Sequence, residues 1–215
     1  MTSIAIIDYG MGNLHSIAKA FEHVAGKERV IVSSDHAVIR AADRVVFPGV
    51  GAIRDCIMEL RRTGLDDVIR DLVASRPLLG VCLGLQALFD RSEENDGTDC
   101  LGILPGRVVR FPKGMQDNKS GDHLKIPHMG WNQVHQTQAH PMWADISSGS
   151  RFYFVHSYHA VPARAADVAG TTDYGHEFAS VVGHENLFAV QFHPEKSQHA
   201  GLQLLANFVG WNGEF

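Results

Sequence analysis

Residues 79–84 read Leu-Gly-Val-Cys-Leu-Gly, an apolar run that enters Gly-x-Cys-x-Gly and continues into a helical pattern. This is the nucleophile-elbow arrangement with cysteine in place of serine. A turn that tight brings the positions two residues either side of the nucleophile against neighbouring backbone, which requires Gly80 and Gly84. The turn lifts the Cys82 thiol above a sheet edge. A helix N-terminus behind it favours the thiolate, the form that attacks carbon, and aims free backbone N–H groups at a developing oxyanion. The bland alternative is a buried cysteine between two packing glycines.

A thiol nucleophile needs a base, and the base needs an orienter. The strand-like run Leu187 to Phe192 ends in His193-Pro194-Glu195. A histidine there sits at the sheet edge where open α/β folds place their sites. Glu195 is spaced to hold the imidazole tautomer, and Pro194 stiffens the turn; the alternative is a polar turn closing a strand. Pro48-Gly49-Val50-Gly51 follows another apolar run, and its glycines would let a backbone N–H approach or flip toward a substrate oxygen. The alternative is a plain tight turn. Asp8 to Asn13 has the first two glycines of a dinucleotide fingerprint but lacks the third, since position 15 is histidine. The histidines at 15, 23, 36, 135, 140, 176, 184 and 199 read as surface or capping residues.

The elements that must position these groups alternate in type. Strands are expected at Ile4–Ile7, Val30–Val32, Arg44–Phe47 (cut by Pro48-Gly49) and Pro77–Cys82. Helices are expected at Leu14–Val24 with Asn13 as N-cap, at Ala52–Leu60, at Leu65–Ala74 and from Leu83 to Phe89. Such alternation implies βαβ units around a parallel sheet. Beyond about residue 95 the pattern turns β-rich, with short strands at 108–111, 131–134, 152–155, 180–182 and 187–192. One further helix is expected at 201–209. The fold class is therefore α/β: a doubly wound, mixed but mainly parallel sheet with helices on both faces, plus antiparallel strands added to the same sheet. Residues 112–124 read as a polar surface loop.

The whole chain of 215 residues fits one domain. It is long enough to bury a core without disulfides or a structural metal. A formal charge of -5 argues against nucleic acid as the main partner. No apolar stretch reaches the roughly 20 residues needed to span a bilayer. The N-terminus lacks a secretory pattern, and three cysteines without metal or redox spacing suggest a reducing, cytoplasmic setting. Neither a metal nor a cofactor is expected.

On residues 80–86 (Gly-Val-Cys-Leu-Gly-Leu-Gln), 48–51 and 192–195, the chain resembles the class I, or triad, glutamine amidotransferases. Residues 8–14 (Asp-Tyr-Gly-Met-Gly-Asn-Leu), 127–132 (Pro-His-Met-Gly-Trp-Asn), 153–158 (Tyr-Phe-Val-His-Ser-Tyr) and 195–198 (Glu-Lys-Ser-Gln) are more specific. They resemble the glutaminase subunits of imidazole glycerol phosphate synthases. The resemblance implies hydrolysis of glutamine to glutamate and ammonia. It also implies transfer of the ammonia to a separate (β/α)₈ cyclase subunit that forms imidazole glycerol phosphate and an aminoimidazole carboxamide ribotide, in histidine biosynthesis. By that pattern Cys82 is the nucleophile, His193 the acid/base and Glu195 its orienter. Gly49, Val50, Gly51 and Leu83 supply the oxyanion hole, and Gln86, Ser157 and Tyr158 hold the substrate. Trp131, Tyr153 and Lys196 face the partner. The stretch 112–124 is long for the family. Two rival readings are a partner-independent γ-glutamyl amide or peptide hydrolase of the same fold and a non-catalytic regulatory module.

Overall fold

A computed structural model describes residues 2–117 and 120–214. Its first half is built from strands β1 (Ser3–Ile7), β2 (Arg29–Ser33), β3 (Arg44–Gly49) and β4 (Leu78–Cys82). Between them lie helices α1 (Leu14–Val24), α2 (His36–Ala41), α3 (Ile53–Thr63) and α4 (Leu65–Val73), and α5 (Leu83–Ala87) follows β4. The second half contributes β5 (Arg91–Ser92), β6 (Thr98–Asp99), β7 (Gly106–Arg110), β8 (His128–Gln136), β9 (Ser150–His156) and β10 (Tyr158–Pro162). It ends with β11 (Val168–Asp173), β12 (Glu177–His184), β13 (Leu187–Val190) and α6 (Gln198–Gly210).

The strands run in the order β2-β1-β3-β4-β13, all parallel, and β12 then joins β13 antiparallel. At β12 the sheet divides. One arm continues through β10, β7, β5 and β6, and the other through β11 to β8 and β9. The added antiparallel strands extend the same sheet, as the sequence implies; β8 and β9 join it as a branch through β11, and Phe152 and Phe154 of β9 are fully buried.

Side-chain alternation in β1 places Ala5 and Ile7 in one core and Ile4 and Ile6 in the other. The first core takes Ile39 of α2, Ile57 of α3 and Ile69 of α4; the second takes Phe21 of α1 and Phe208 of α6. Helices thus cover both faces, as a parallel sheet buried on both sides requires.

Several boundaries differ from the sequence reading for identifiable reasons. β3 does not stop at Phe47: Pro48 pairs with Val81 and Gly49 with Cys82, because the missing proline N–H falls at the strand's end. α2 is a short helix with one buried apolar residue, Ile39, so it has no helical stripe to read; the Asp35 carboxylate caps it. α3 runs to Thr63 and is ended by Gly64 in the left-handed region (φ 71°), which also opens α4. Strand pairing of β13 stops at Val190, two residues before the expected Phe192. In the 112–124 segment, Gln116 bridges His123, and Asn118 and Lys119 lie outside the described residues.

Candidate active site

The parallel strands β3, β4 and β13 all end at one edge, and the candidate residues follow from there. Cys82 closes β4 with φ 54° and ψ -108°, a left-handed conformation for a non-glycine residue. The neighbouring glycines are needed for the reason the sequence implies. A Cβ on Gly80 would stand 2.9 Å from the Ala189 Cβ, and one on Gly84 would stand 2.0 Å from the Phe47 carbonyl oxygen. Such contacts are far inside van der Waals distance, so the elbow forms only with hydrogen at both positions.

His193 follows β13 and is buried. Its backbone N–H donates to the Tyr153 carbonyl (2.9 Å), and its carbonyl accepts from the Ser197 hydroxyl (2.6 Å). That hydroxyl also accepts from the Tyr153 N–H at 2.9 Å, so β9 and the His-Pro-Glu turn are tied through three bonds. The imidazole Nδ1 donates to Glu195 Oε1 at 2.9 Å, and both side chains are about 5% exposed. With Nδ1 committed, Nε2 is the ring nitrogen left for Cys82, which lines the same cavity as His193. Burial alone would depress the imidazolium; the hydrogen bonds and charges of Cys82 and Glu195 outweigh it and raise the pKa to about 10. The pairing therefore favours the imidazolium form of His193 at neutral pH.

Cys82 opens into a cavity of about 360 Å³. Val50, Gly51, Leu83, Gln86, Ser157 and Tyr158 line it together with His193, so most of the sequence candidates converge. Gly49 does not reach this cavity. It borders a narrow crevice behind it with Val50, His193 and Glu195, and a Cβ there would meet the Tyr9 hydroxyl at 2.7 Å and the Leu83 Cβ at 2.9 Å. Gly49 is thus required for close packing, whereas Gly51 is required for its φ of 98°.

Trp131, Tyr153 and Lys196 also cluster, but outside the cavity. The Trp131 and Tyr153 rings meet edge to face at 6.1 Å, and Lys196 Nζ stands 5.9 Å from the Tyr153 ring centroid. In the β8–β9 pairing Met129 lies opposite Val155 and Trp131 opposite Tyr153. Met129 is 65% exposed and Trp131 39%, while Val155 also lines the cavity. An exposed apolar face therefore begins at the rim of the cavity.

Several residues at the site carry no sequence signal strong enough to single them out. Glu94 lines the cavity while its Oε2 accepts from the Ile53 N–H at 3.1 Å, capping α3. Gln191 is fully buried and donates to Cys82 Sγ at 3.7 Å. His156, which lines the cavity, donates from Nδ1 to the Tyr158 carbonyl at 2.8 Å and accepts at Nε2 from His128 Nδ1 at 2.9 Å. Of the histidines expected at the surface or in caps, His140 is buried yet does cap, accepting from the Met142 N–H at 3.0 Å.

Residues 5–210 match the family model for glutamine amidotransferase class-I. Imidazole glycerol phosphate synthase subunit HisH of Nitrosococcus oceani is 62% identical over 213 residues, covering 99% of both chains. Imidazole glycerol phosphate synthase subunit HisH 1 of Pseudomonas aeruginosa is 58% identical over the full length of both. Among solved structures, a chain of PurLQS from Thermotoga maritima superposes with a TM-score of 0.70 at 16% identity. The match covers 97% of this chain and 98% of that one, which is a likeness of fold. The chain belongs to the class-I glutamine amidotransferases and, within them, to the HisH subunit family.

Proposed function

We propose that the chain, as one glutaminase domain, hydrolyses the side-chain amide of glutamine and passes the ammonia to a separate cyclase subunit of an imidazole glycerol phosphate synthase. The observation that carries this reading is that Cys82 and His193 line one cavity while His193 Nδ1 is held by Glu195. The Cys82 thiolate attacks the amide carbon, and the C–S bond forms as the carbonyl electron pair moves to oxygen. The backbone N–H groups of Val50 and Leu83, both of which line the cavity, would receive that oxyanion. His193 protonates the nitrogen as the C–N bond breaks, and ammonia leaves a thioester. It then takes a proton from water, which attacks the thioester carbon, and glutamate departs with the thiolate restored.

Substrate binding is carried by acceptors. Both amide hydrogens of Gln86 are committed, one to the Tyr158 carbonyl (2.9 Å) and one to Gln191 Oε1 (3.0 Å). Its carbonyl oxygen, together with the Glu94 carboxylate, is then left to accept from an α-ammonium group. Backbone groups of Ser157 and Tyr158 complete the subsite.

The partner reading is supported by the apolar face that starts at the cavity rim, with Trp131, Tyr153 and Lys196 at its centre. Desolvating such a face against a second protein chain is favourable, and it would keep ammonia from bulk water. Among the described residues no helix is long and apolar enough to cross a membrane. The three unpaired cysteines suit a reducing, cytoplasmic compartment.

The test is Cys82→Ala in the complex with the cyclase. Glutamine-dependent cyclisation is expected to disappear while ammonium-dependent cyclisation persists. Retained glutamine-dependent turnover would overturn the reading. Full glutaminase activity that ignores the cyclase would favour a partner-independent hydrolase.

A further inference from the structure

Gln191 sits two residues before His193, fully buried between the substrate subsite and the nucleophile. The orientation of its amide follows from its neighbours. The Tyr158 carbonyl can only accept, and it accepts from Gln86 Nε2 at 2.9 Å and from His156 Nδ1 at 2.8 Å. Gln86 therefore turns its NH₂ toward Tyr158, and the same NH₂ meets Gln191 at 3.0 Å. Gln191 must present its oxygen there, which leaves its own NH₂ facing Cys82 Sγ at 3.7 Å. Its backbone is pinned as well, by an N–H donated to the Ser180 carbonyl at 2.8 Å.

We propose that the Gln191 amide is a positioning residue for the nucleophile, holding the Cys82 sulfur as thiolate in line with the cavity. The inference rests on the reading of Cys82 as nucleophile. An N–H aimed at sulfur is a weak bond to a thiol and a charge-assisted one to a thiolate, so it favours the reactive form. It also restrains the sulfur from a second residue, besides His193. Because Gln86 reaches both Tyr158 and Gln191, one hydrogen-bonded chain runs from the substrate subsite to the attacking atom. The titratable groups facing the sulfur are His193, backed by Glu195, and the Tyr9 phenol beyond the end of β1. Gln191 adds the uncharged donor to that set.

The experiment measures alkylation of Cys82 by iodoacetamide as a function of pH, in the complex with the cyclase, with the modified peptide identified by mass. Burial raises the Cys56 and Cys100 thiols to about 12 and about 11, so they contribute little at neutral pH. In Gln191→Leu the half-point of alkylation is expected to rise by about one pH unit, an alkylation about tenfold slower at neutral pH. The glutamine kcat/KM falls by a similar factor, and ammonium-dependent cyclisation stays unchanged. Should Gln191→Leu not assemble, Gln191→Met, apolar and of matching length, is read the same way. A profile superposing on the wild type in either variant overturns the inference alone. Alkylation that leaves wild-type glutaminase active would instead overturn the nucleophile reading.

Discussion

In the proposed triad, Cys82 and Glu195 together set the state of His193. Glu195 accepts from Nδ1, which turns Nε2 toward the sulfur, and the resulting pairing raises the His193 pKa to about 10. Removing the base should therefore cost more than weakening its orienter. His193→Ala is expected to lower glutaminase kcat by about 10²–10⁴, the usual range for a general acid/base. Glu195→Gln should cost less, and it should move the alkaline limb of the pH–rate profile to lower pH, since a neutral neighbour no longer favours imidazolium. Steady-state kinetics from pH 6 to 10 on both variants checks this, and equal, total loss would assign Glu195 a structural role. At this scale the sequence was highly legible. Gly80 and Gly84 announce a turn that only glycine permits, and the 2.0 Å approach at Gly84 bears that out. Gln191 was not legible, because its partners Gln86 and Cys82 are over 100 positions away and no spacing rule relates them.

Elements place the triad by ending together. β3, β4 and β13 are parallel neighbours, so residues following their C-terminal ends converge without any long loop to hold them. The proposed oxyanion segment, Gly49 to Gly51, starts at the end of β3 in this frame. Val50 is 37% exposed, whereas Gly49 is locked between Tyr9 and Leu83. Rotation of the Gly49–Val50 peptide would choose between offering an N–H and offering a carbonyl to the substrate. Gly49→Ala would push Tyr9 and Leu83 apart and displace that donor. Glutaminase kcat is expected to fall by about 10²–10³, with ammonium-dependent cyclisation by the complex preserved; a wild-type glutaminase rate would show that the segment tolerates displacement. Amphipathic helices such as α1, whose span and Asn13 cap match the sequence reading, were legible from their apolar stripe. β10 and β11 were not, since their alternation is broken by proline, glycine and a register shift between Val168 and Thr171.

The whole molecule carries an unusual number of buried histidines, and they set its response to pH. Burial holds His128, His140 and His159 near a pKa of about 4, and it drives His156 well below the ordinary value, with His128 adding to the effect. The unfolded chain takes up these protons near 6.5, so stability is full above that value and is lost as pH falls toward 4. Each such histidine contributes up to about 1.4 kcal/mol per pH unit in that window. His193 acts in the opposite sense: its contribution is full below 6.5 and is lost as pH rises toward 10. Melting temperature is thus expected to peak near neutrality and to fall most steeply on the acid side. A Tm unchanged between pH 7 and 5 would contradict the neutral, buried state of the histidines. The sequence revealed 13 histidines but not which were buried, because burial of His128 and His156 arises only when β8 and β9 fold against Phe111 and Phe178.

The central claim is that glutamine is opened by covalent attack from Cys82, and the thioester is its direct consequence. The complex is mixed with isotopically labelled glutamine, quenched in acid during turnover, digested and analysed by mass. The account predicts a labelled glutamyl group on the peptide containing Cys82, absent from Cys82→Ala and lost on mild base treatment as a thioester is. Sustained glutamine turnover with no label on that peptide, or label on a different residue, would contradict it.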